Sequence, residues 1–254
     1  MPLGIDHCVI AVKDLETAIA SYTELGFTVV RGGKHNIGTH NALIAFQDGS
    51  YLELIAFLNP VEGHPWYKAL AKGGGLVDFC GRTHDIDHDV HAYRAAGASI
   101  GDPFAMTRTR PDGYELKWKL ATPDAPFNGL VPFVIWDETP RDERVPRDRT
   151  HRNGVTGIKR IAIACHELNK TAELYHRILG IGGARIDHAE LDCAGVRIPF
   201  GTQEIDLIAP RSLSGPVVKF LDLHGQAPYE VTLAGSPRAA FDLAQTHGAR
   251  LRIE

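Results

Sequence analysis

The sequence predicts an α+β protein built from repeated β-α-β-β-β modules arranged in pairs, and three observations predict it. The first is an internal repeat: residues 4–15 (GIDHCVIAVKDL) and 157–168 (GIKRIAIACHEL) share one pattern at an offset of 153. A tyrosine follows each at the same spacing (Tyr22, Tyr175), and Glu53-Leu-Ile-Ala56 returns as Asp206-Leu-Ile-Ala209. The second is a shorter offset of 71, which carries Lys13-Asp-Leu15 to His84-Asp-Ile86, Tyr22 to Tyr93 and Gly26 to Gly97. The third is a change of period inside each unit, from a continuous apolar run to helical spacing.

In chain order, residues 5–12 are apolar on both faces and read as a buried strand. An Asp-Leu step then opens a helix of about 11 residues, with Leu15, Ala18, Ile19, Tyr22 and Leu25 on one stripe. Gly26 ends it, because glycine accepts the left-handed conformation that closes a helix. Strands follow over 27–31, 41–47 and 51–58. The unit recurs over 3–58, 75–137 and 156–209, and 228–254 shows its strand–helix–Gly–strand opening and then stops. Thr139–Asn153 (TPRDERVPRDRTHRN) is charged, Pro-containing and aperiodic, which predicts a linker. The expected organisation is 1–138 (modules 3–58 and 75–137), a linker over 139–153, and 154–254 (modules 156–209 and 228–254).

Composition narrows the function. With 44% apolar and 23% charged residues the chain of 254 can bury a core, so disorder is excluded. A net charge of −4 gives no attraction to nucleic acid or an anionic membrane. No apolar run approaches the roughly 20 residues of a membrane span. No basic segment precedes an apolar one at the start, and Cys8, Cys80, Cys165 and Cys193 form no C-x-x-C pair, so reduced, buried thiols and a cytoplasmic location are expected. His166-Glu-Leu-Asn-Lys170 lacks the second His of H-E-x-x-H. No P-loop or G-x-S-x-G occurs, and Gly180-Ile-Gly-Gly183 follows a helix, not a strand, so no nucleotide cofactor is expected.

Polar residues inside apolar runs carry the chemistry. Glu53 lies in Tyr51-Leu-Glu-Leu-Ile-Ala-Phe57, where a carboxylate must be paired, hydrogen-bonded or metal-bound. His7 lies in a similar run, and imidazole with carboxylate suits Zn²⁺, Fe²⁺, Mn²⁺ or Ni²⁺. The repeat supplies a control: at offset 153, His7 becomes Arg160 and Glu53 becomes Asp206. Such a joint swap predicts that the two slots face each other, as an ion pair in the second half and as a metal site or a plain hydrogen-bonded pair in the first. Gly32-Gly-Lys-His-Asn-Ile-Gly-Thr-His-Asn41 reads as a tight loop delivering His35, Thr39 and Asn41 to a strand mouth, or as a locally satisfied turn. His188 stands 153 after His35, but its flanks do not match and the sequence gives it no role. After Pro111-Asp-Gly113 the chain alternates, placing Trp118 on one face near Arg108 or Arg110; these would suit a flat acidic or carbonyl-bearing ligand, or be core and surface. Trp66 reads as a lid or as packing. His84, His88 and His91 share a helix face, but the interleaved Asp85, Asp87 and Asp89 mark a solvated helix start.

Paired β-α-β-β-β units resemble the vicinal oxygen chelate superfamily. The motifs IDHCVIAV, GGKHNIGTHNALIAF, DGSYLELIAF and TRTRPDGYELKWKL are similar to its glyoxalase-like domain family over roughly residues 3–140. The resemblance implies curled mixed sheets around a cup, helices outside, and a metal ligand near the start of the first strand with a Glu in the fourth: His7 and Glu53. Further ligands would come from the second module, where Asp78 takes the first slot and Phe133 stands where a Glu would be. The resemblance implies an enzyme whose divalent metal polarises a carbonyl or enediolate of a small oxygenated molecule, with Glu53 moving the proton, as isomerase, lyase or dioxygenase. The alternative is a metal-free protein that sequesters a small molecule; a third reading uses His35 as a metal-free general base. The truncated second cup predicts an exposed sheet edge and a homodimer.

Overall fold

A computed structural model describes residues 2–254. The first half runs β1 (Ile5–Ala11), α1 (Leu15–Glu24), β2 (Val30–His35), β3 (Thr39–Ala45), β4 (Tyr51–Phe57), α2 (Pro65–Leu70), β5 (Gly75–Arg82), α3 (Ile86–Ala96), β6 (Phe104–Thr109), β7 (Glu115–Ala121) and β8 (Phe133–Asp137). The Asp steps are helix caps: Asp14 accepts from the Thr17 amide and Asp85 from the His88 amide. Gly97 closes α3 at a φ of 92°.

These eight strands close into a barrel of order β1-β4-β3-β2-β6-β7-β8-β5. The two modules meet where β1 pairs antiparallel with β5, His7 opposite Cys80 and Val9 opposite Asp78. On the outer flanks Val9 pairs with Glu53 and Cys80 with Phe133, both in parallel register. This two-fold arrangement makes Asp78 the counterpart of His7 and Phe133 the counterpart of Glu53.

The chain continues through α4 (Arg141–Arg144) to β9 (Val155–Ala164), α5 (Leu168–Leu179), β10 (Ala184–His188), β11 (Cys193–Phe200), β12 (Gln203–Pro210), α6 (Pro216–His224), β13 (Ala227–Gly235), β14 (Ala239–Ala240) and β15 (Leu251–Ile253). Its strands form an open sheet, β10-β11-β12-β9-β13-β15-β14. Ala162 faces Asp206 there as Val9 faces Glu53, so the repeat of 153 is also a repeat of register. In the truncated last module residues 243–248 form turns where the pattern predicts a helix. Thr246 Oγ1 lies within hydrogen-bond reach of the Asp242 and Ala249 carbonyls and Asp242 accepts from the Ala244 amide, and so short a segment cannot offset helix nucleation.

One core serves both halves. The repeat tyrosines cross between them: Tyr22 donates to the Thr246 carbonyl at 3.0 Å and Tyr175 to the Leu130 carbonyl at 2.8 Å. The segment over 139–153, which joins the barrel to the second sheet, is packed against the fold. Arg144 is 2% exposed, and His151 accepts from the Thr28 amide and donates to the Ala45 carbonyl. Charge without periodicity says nothing about whether each charge has a partner elsewhere in the fold, and here Arg141, Glu143, Arg144 and Arg152 do. All four cysteines are free and buried. No helix among the described residues is long and apolar enough to cross a membrane.

Candidate functional site

The barrel encloses a cavity of about 210 Å³. Its polar wall comes from β1 to β4 and β6; Trp66, Trp118, Phe133 and Ile135 supply apolar walls.

On β1 the register slips between Ile5 and His7, leaving Asp6 as a bulged, unpaired residue. Successive strand residues ordinarily face opposite ways, but a bulge re-aims a side chain. The Asp6 carboxylate thus reaches His7 Nδ1 at 2.8 Å. Burial raises the Asp6 proton affinity, yet Arg144 and Arg141 outweigh it and hold the carboxyl well below its ordinary value. Against an ionised carboxylate His7 Nδ1 carries the proton, which turns Nε2 toward the cup. The ring stacks on Tyr51, centroids 4.5 Å apart, with the edge of Phe133 at 5.4 Å.

Glu53 Oε2 lies 3.5 Å from His7 Nε2, and Oε1 lies 3.9 Å from His35 Nε2. The Asn41 amide donates to Oε1 at 2.6 Å. Gly32 makes room for that amide, since a Cβ there would come within 2.0 Å of Asn41 Oδ1. His35 Nδ1 meets Thr39 Oγ1 at 2.8 Å. Burial, against the pull of Glu53, lowers His35 to about 4, so its imidazole is neutral at pH 7. His35 ends β2, and Thr39 and Asn41 lie on β3. The expected loop over 32–41 is instead a tight hairpin, held by a bulge between Arg31 and Gly33. A Cβ on Gly33 would meet the Thr109 carbonyl at 2.0 Å, which is why glycine-rich sequence here encodes strand crossing and not a loop.

Asp78 borders the cavity but not this cluster. Val9 stands between it and Glu53, so two strand spacings, about 10 Å, separate their backbones. Its carboxylate accepts from Trp66 Nε1 at 3.1 Å and from the Phe79 amide at 2.9 Å, and burial pushes it up to about 7. Trp66 therefore packs on Asp78 at the rim.

Arg108 on β6 is 3% exposed. One terminal nitrogen donates to the Arg144 carbonyl at 2.9 Å, and its Nε is buried without a partner. Trp118 on β7 is buried, its ring perpendicular to that of His35 with centroids 5.9 Å apart. Arg110 lies beyond the end of β6, outside the cavity, pairing with Asp112 and Glu143 and covering Tyr114. His84, His88 and His91 are exposed.

The sequence missed the floor of the cup. Arg144 binds Asp6, Asp137 and the Tyr51 hydroxyl, and its carbonyl holds Arg108. An Asp within the apolar run IDHCVIAV was the available signal for that partner. The sequence also missed His188, whose Nε2 lies 3.3 Å from Asp206 Oδ2, so it faces the second-half carboxylate much as His35 faces Glu53. Arg160 is 3.7 Å from Asp206, but Arg197 is the closer partner, with two contacts of 2.7 Å.

The proposed ligand set of His7, Glu53 and Asp78 does not fit a metal ion. The two imidazoles approach different oxygens of Glu53, Asp78 is two strands away with its own donors, and Phe133 fills the fourth slot. Among the described residues no three His, Cys, Asp or Glu side chains are placed to hold one.

The chain belongs to the glyoxalase-like domain family, whose model matches residues 5–179. Its fold is similar to that of a hypothetical protein from Staphylococcus aureus (TM-score 0.72, 14% identity, 98% of each chain covered). It is also similar to a mutant 4-hydroxymandelate synthase from Streptomyces coelicolor (TM-score 0.63, 18% identity, 93% of this chain and 72% of that one). At these identities the likeness is one of fold alone: curled, mixed α+β sheets. Comparison with curated proteins gives no match.

Proposed function

We propose that the barrel is a metal-independent acid–base site that binds a small oxygenated molecule and moves a proton on it, with Glu53 as the base. The observation that supports this most is the placement of Glu53: a buried carboxylate held by a neutral amide, with one imidazole nitrogen toward each oxygen and, among the described residues, no arginine or lysine within 4 Å. A carboxylate in that setting can take a proton from a carbon next to a carbonyl, and His7, oriented by Asp6, can relay it. A neutral His35 is a poor base but serves as a hydrogen-bonding group toward substrate oxygen, the arrangement of a proton-transfer isomerase or lyase.

The test is exchange of carbon-bound hydrogen in D₂O, followed by NMR on hydroxyacetone and dihydroxyacetone, with chelator-treated protein. We expect exchange above background, cut about 10²- to 10⁴-fold by Glu53→Gln. Exchange that appears only after adding Zn²⁺, Mn²⁺, Ni²⁺ or Fe²⁺ would overturn the metal-free reading.

Phe133 in the second carboxylate slot and the two tryptophans favour a second reading, a protein that sequesters a small molecule without turnover. Under that reading Glu53→Gln leaves ligand affinity within a few-fold and no exchange is seen in either form.

A further inference from the structure

Among the described residues lining the cavity, Arg108 is the one arginine or lysine without a carboxylate in direct contact. Arg144, the other, is neutralised by Asp6 and Asp137. No carboxylate oxygen among the described residues comes within 4 Å of the Arg108 guanidinium, and its Nε is orphaned. A buried donor left unmade costs stability, more so on a charged group. A fold retains such a group where a ligand completes it. Its neighbours fix what that ligand is: His35 lies opposite Arg108 across the β2–β6 register, and Trp118 offers a flat apolar wall on the next strand.

We propose that Arg108 is the anion subsite of the cup, and that the molecule bound there is a small carboxylate. Its carboxylate meets the Arg108 guanidinium and its apolar body lies against Trp118. This names the substrate class for the acid–base site proposed above and rests on that reading for its chemistry, but not for its binding. Charge-assisted contact of a planar carboxylate with a guanidinium edge is both strong and directional. Glu53, the carboxylate that attracts Arg108, is not in direct contact with it, so the arriving anion displaces no existing ion pair.

The experiment is isothermal titration of the full chain with benzoate, cyclohexanecarboxylate and acetate, each beside its neutral amide. At least one carboxylate should bind, ten-fold or more tighter than its amide, and Arg108→Met should abolish that difference. Arg108→Lys, which keeps the charge and loses Nε, should bind at intermediate strength and guards against a Met variant that fails to fold. Equal affinity for carboxylate and amide, undiminished carboxylate binding in Arg108→Met, or no binding by any of the three would overturn the proposal. The parent protein separates the two ideas: carboxylate binding by a parent that shows no hydrogen exchange sinks the acid–base reading and leaves this one standing, whereas exchange without any preference for carboxylate over amide sinks this one alone.

Discussion

The two halves carry the same pair of slots at the same register and fill them oppositely. In the barrel the buried carboxylate, Glu53, has a neutral amide and two imidazoles around it. In the open sheet the equivalent carboxylate, Asp206, receives two hydrogen bonds from Arg197, with Arg160 and His188 close by. Burial raises the proton affinity of Asp206, but Arg197 and His188 outweigh it and hold the carboxyl below its ordinary value. The difference teaches that one frame can surround a buried carboxylate either with an amide and imidazoles or with arginines. The environment of Asp206 is spent on neutralising it, whereas Glu53 has no arginine partner of that kind among the described residues.

The largest effect that would break this contrast is on turnover. Glu53→Gln should lower hydrogen exchange about 10²- to 10⁴-fold, while Asp206→Asn should leave the rate of correctly folded protein within about two-fold. Equal losses in the two variants, measured by NMR per mole of folded protein, would make the halves alike. Next in size is the brace beneath the barrel site. Arg144→Met leaves Asp6 and Asp137 short of their main partner and should cost about 3–5 kcal/mol in urea unfolding, since removing one member of a buried ion pair strands the other. A loss below about 1 kcal/mol would show that Arg141 alone holds Asp6.

A smaller effect sharpens the account through pH. His35 titrates near 4 in the folded chain against about 6.5 when unfolded, so between those values the unfolded state binds more protons. Its contribution to stability is therefore complete above pH 6.5 and is lost as pH falls toward 4. His35→Gln removes that loss, and its stability relative to the parent should improve steadily from pH 7 to pH 5. Asp78, raised to about 7, drives the parent's curve the other way, so the variant-minus-parent difference is the quantity to follow. A flat difference would place His35 in contact with solvent.

Much of the frame was legible because repeats and period write topology directly. Offsets of 71 and 153 gave the equivalent positions that the structure joins as the β1–β5 dyad and matches in register at Glu53 and Asp206, and the Asp steps are helix caps. The site was legible only as far as a polar residue in an apolar run announces burial, which found His7 and Glu53. It could not reveal that a one-residue bulge turns Asp6 inward, because bulges leave no periodic trace. Nor could it show that an aperiodic basic segment would put Arg144 under the cup, or that Arg110 falls just past the strand end that aims Arg108 inward. His188 was lost for the opposite reason: a spatial equivalence survived where the flanking residues that would advertise it did not.

The most direct test is urea unfolding of Glu53→Gln and Asp206→Asn side by side at pH 7. Glutamine can keep accepting the Asn41 hydrogen bond and removes an uncompensated buried charge, so Glu53→Gln should match the parent or exceed it. Asp206→Asn strips Arg197 of its partner, partly screened by solvent, and should lose about 1–3 kcal/mol. A Glu53→Gln variant as destabilised as Asp206→Asn would contradict the account, since it would make the barrel carboxylate a structural pair like its counterpart.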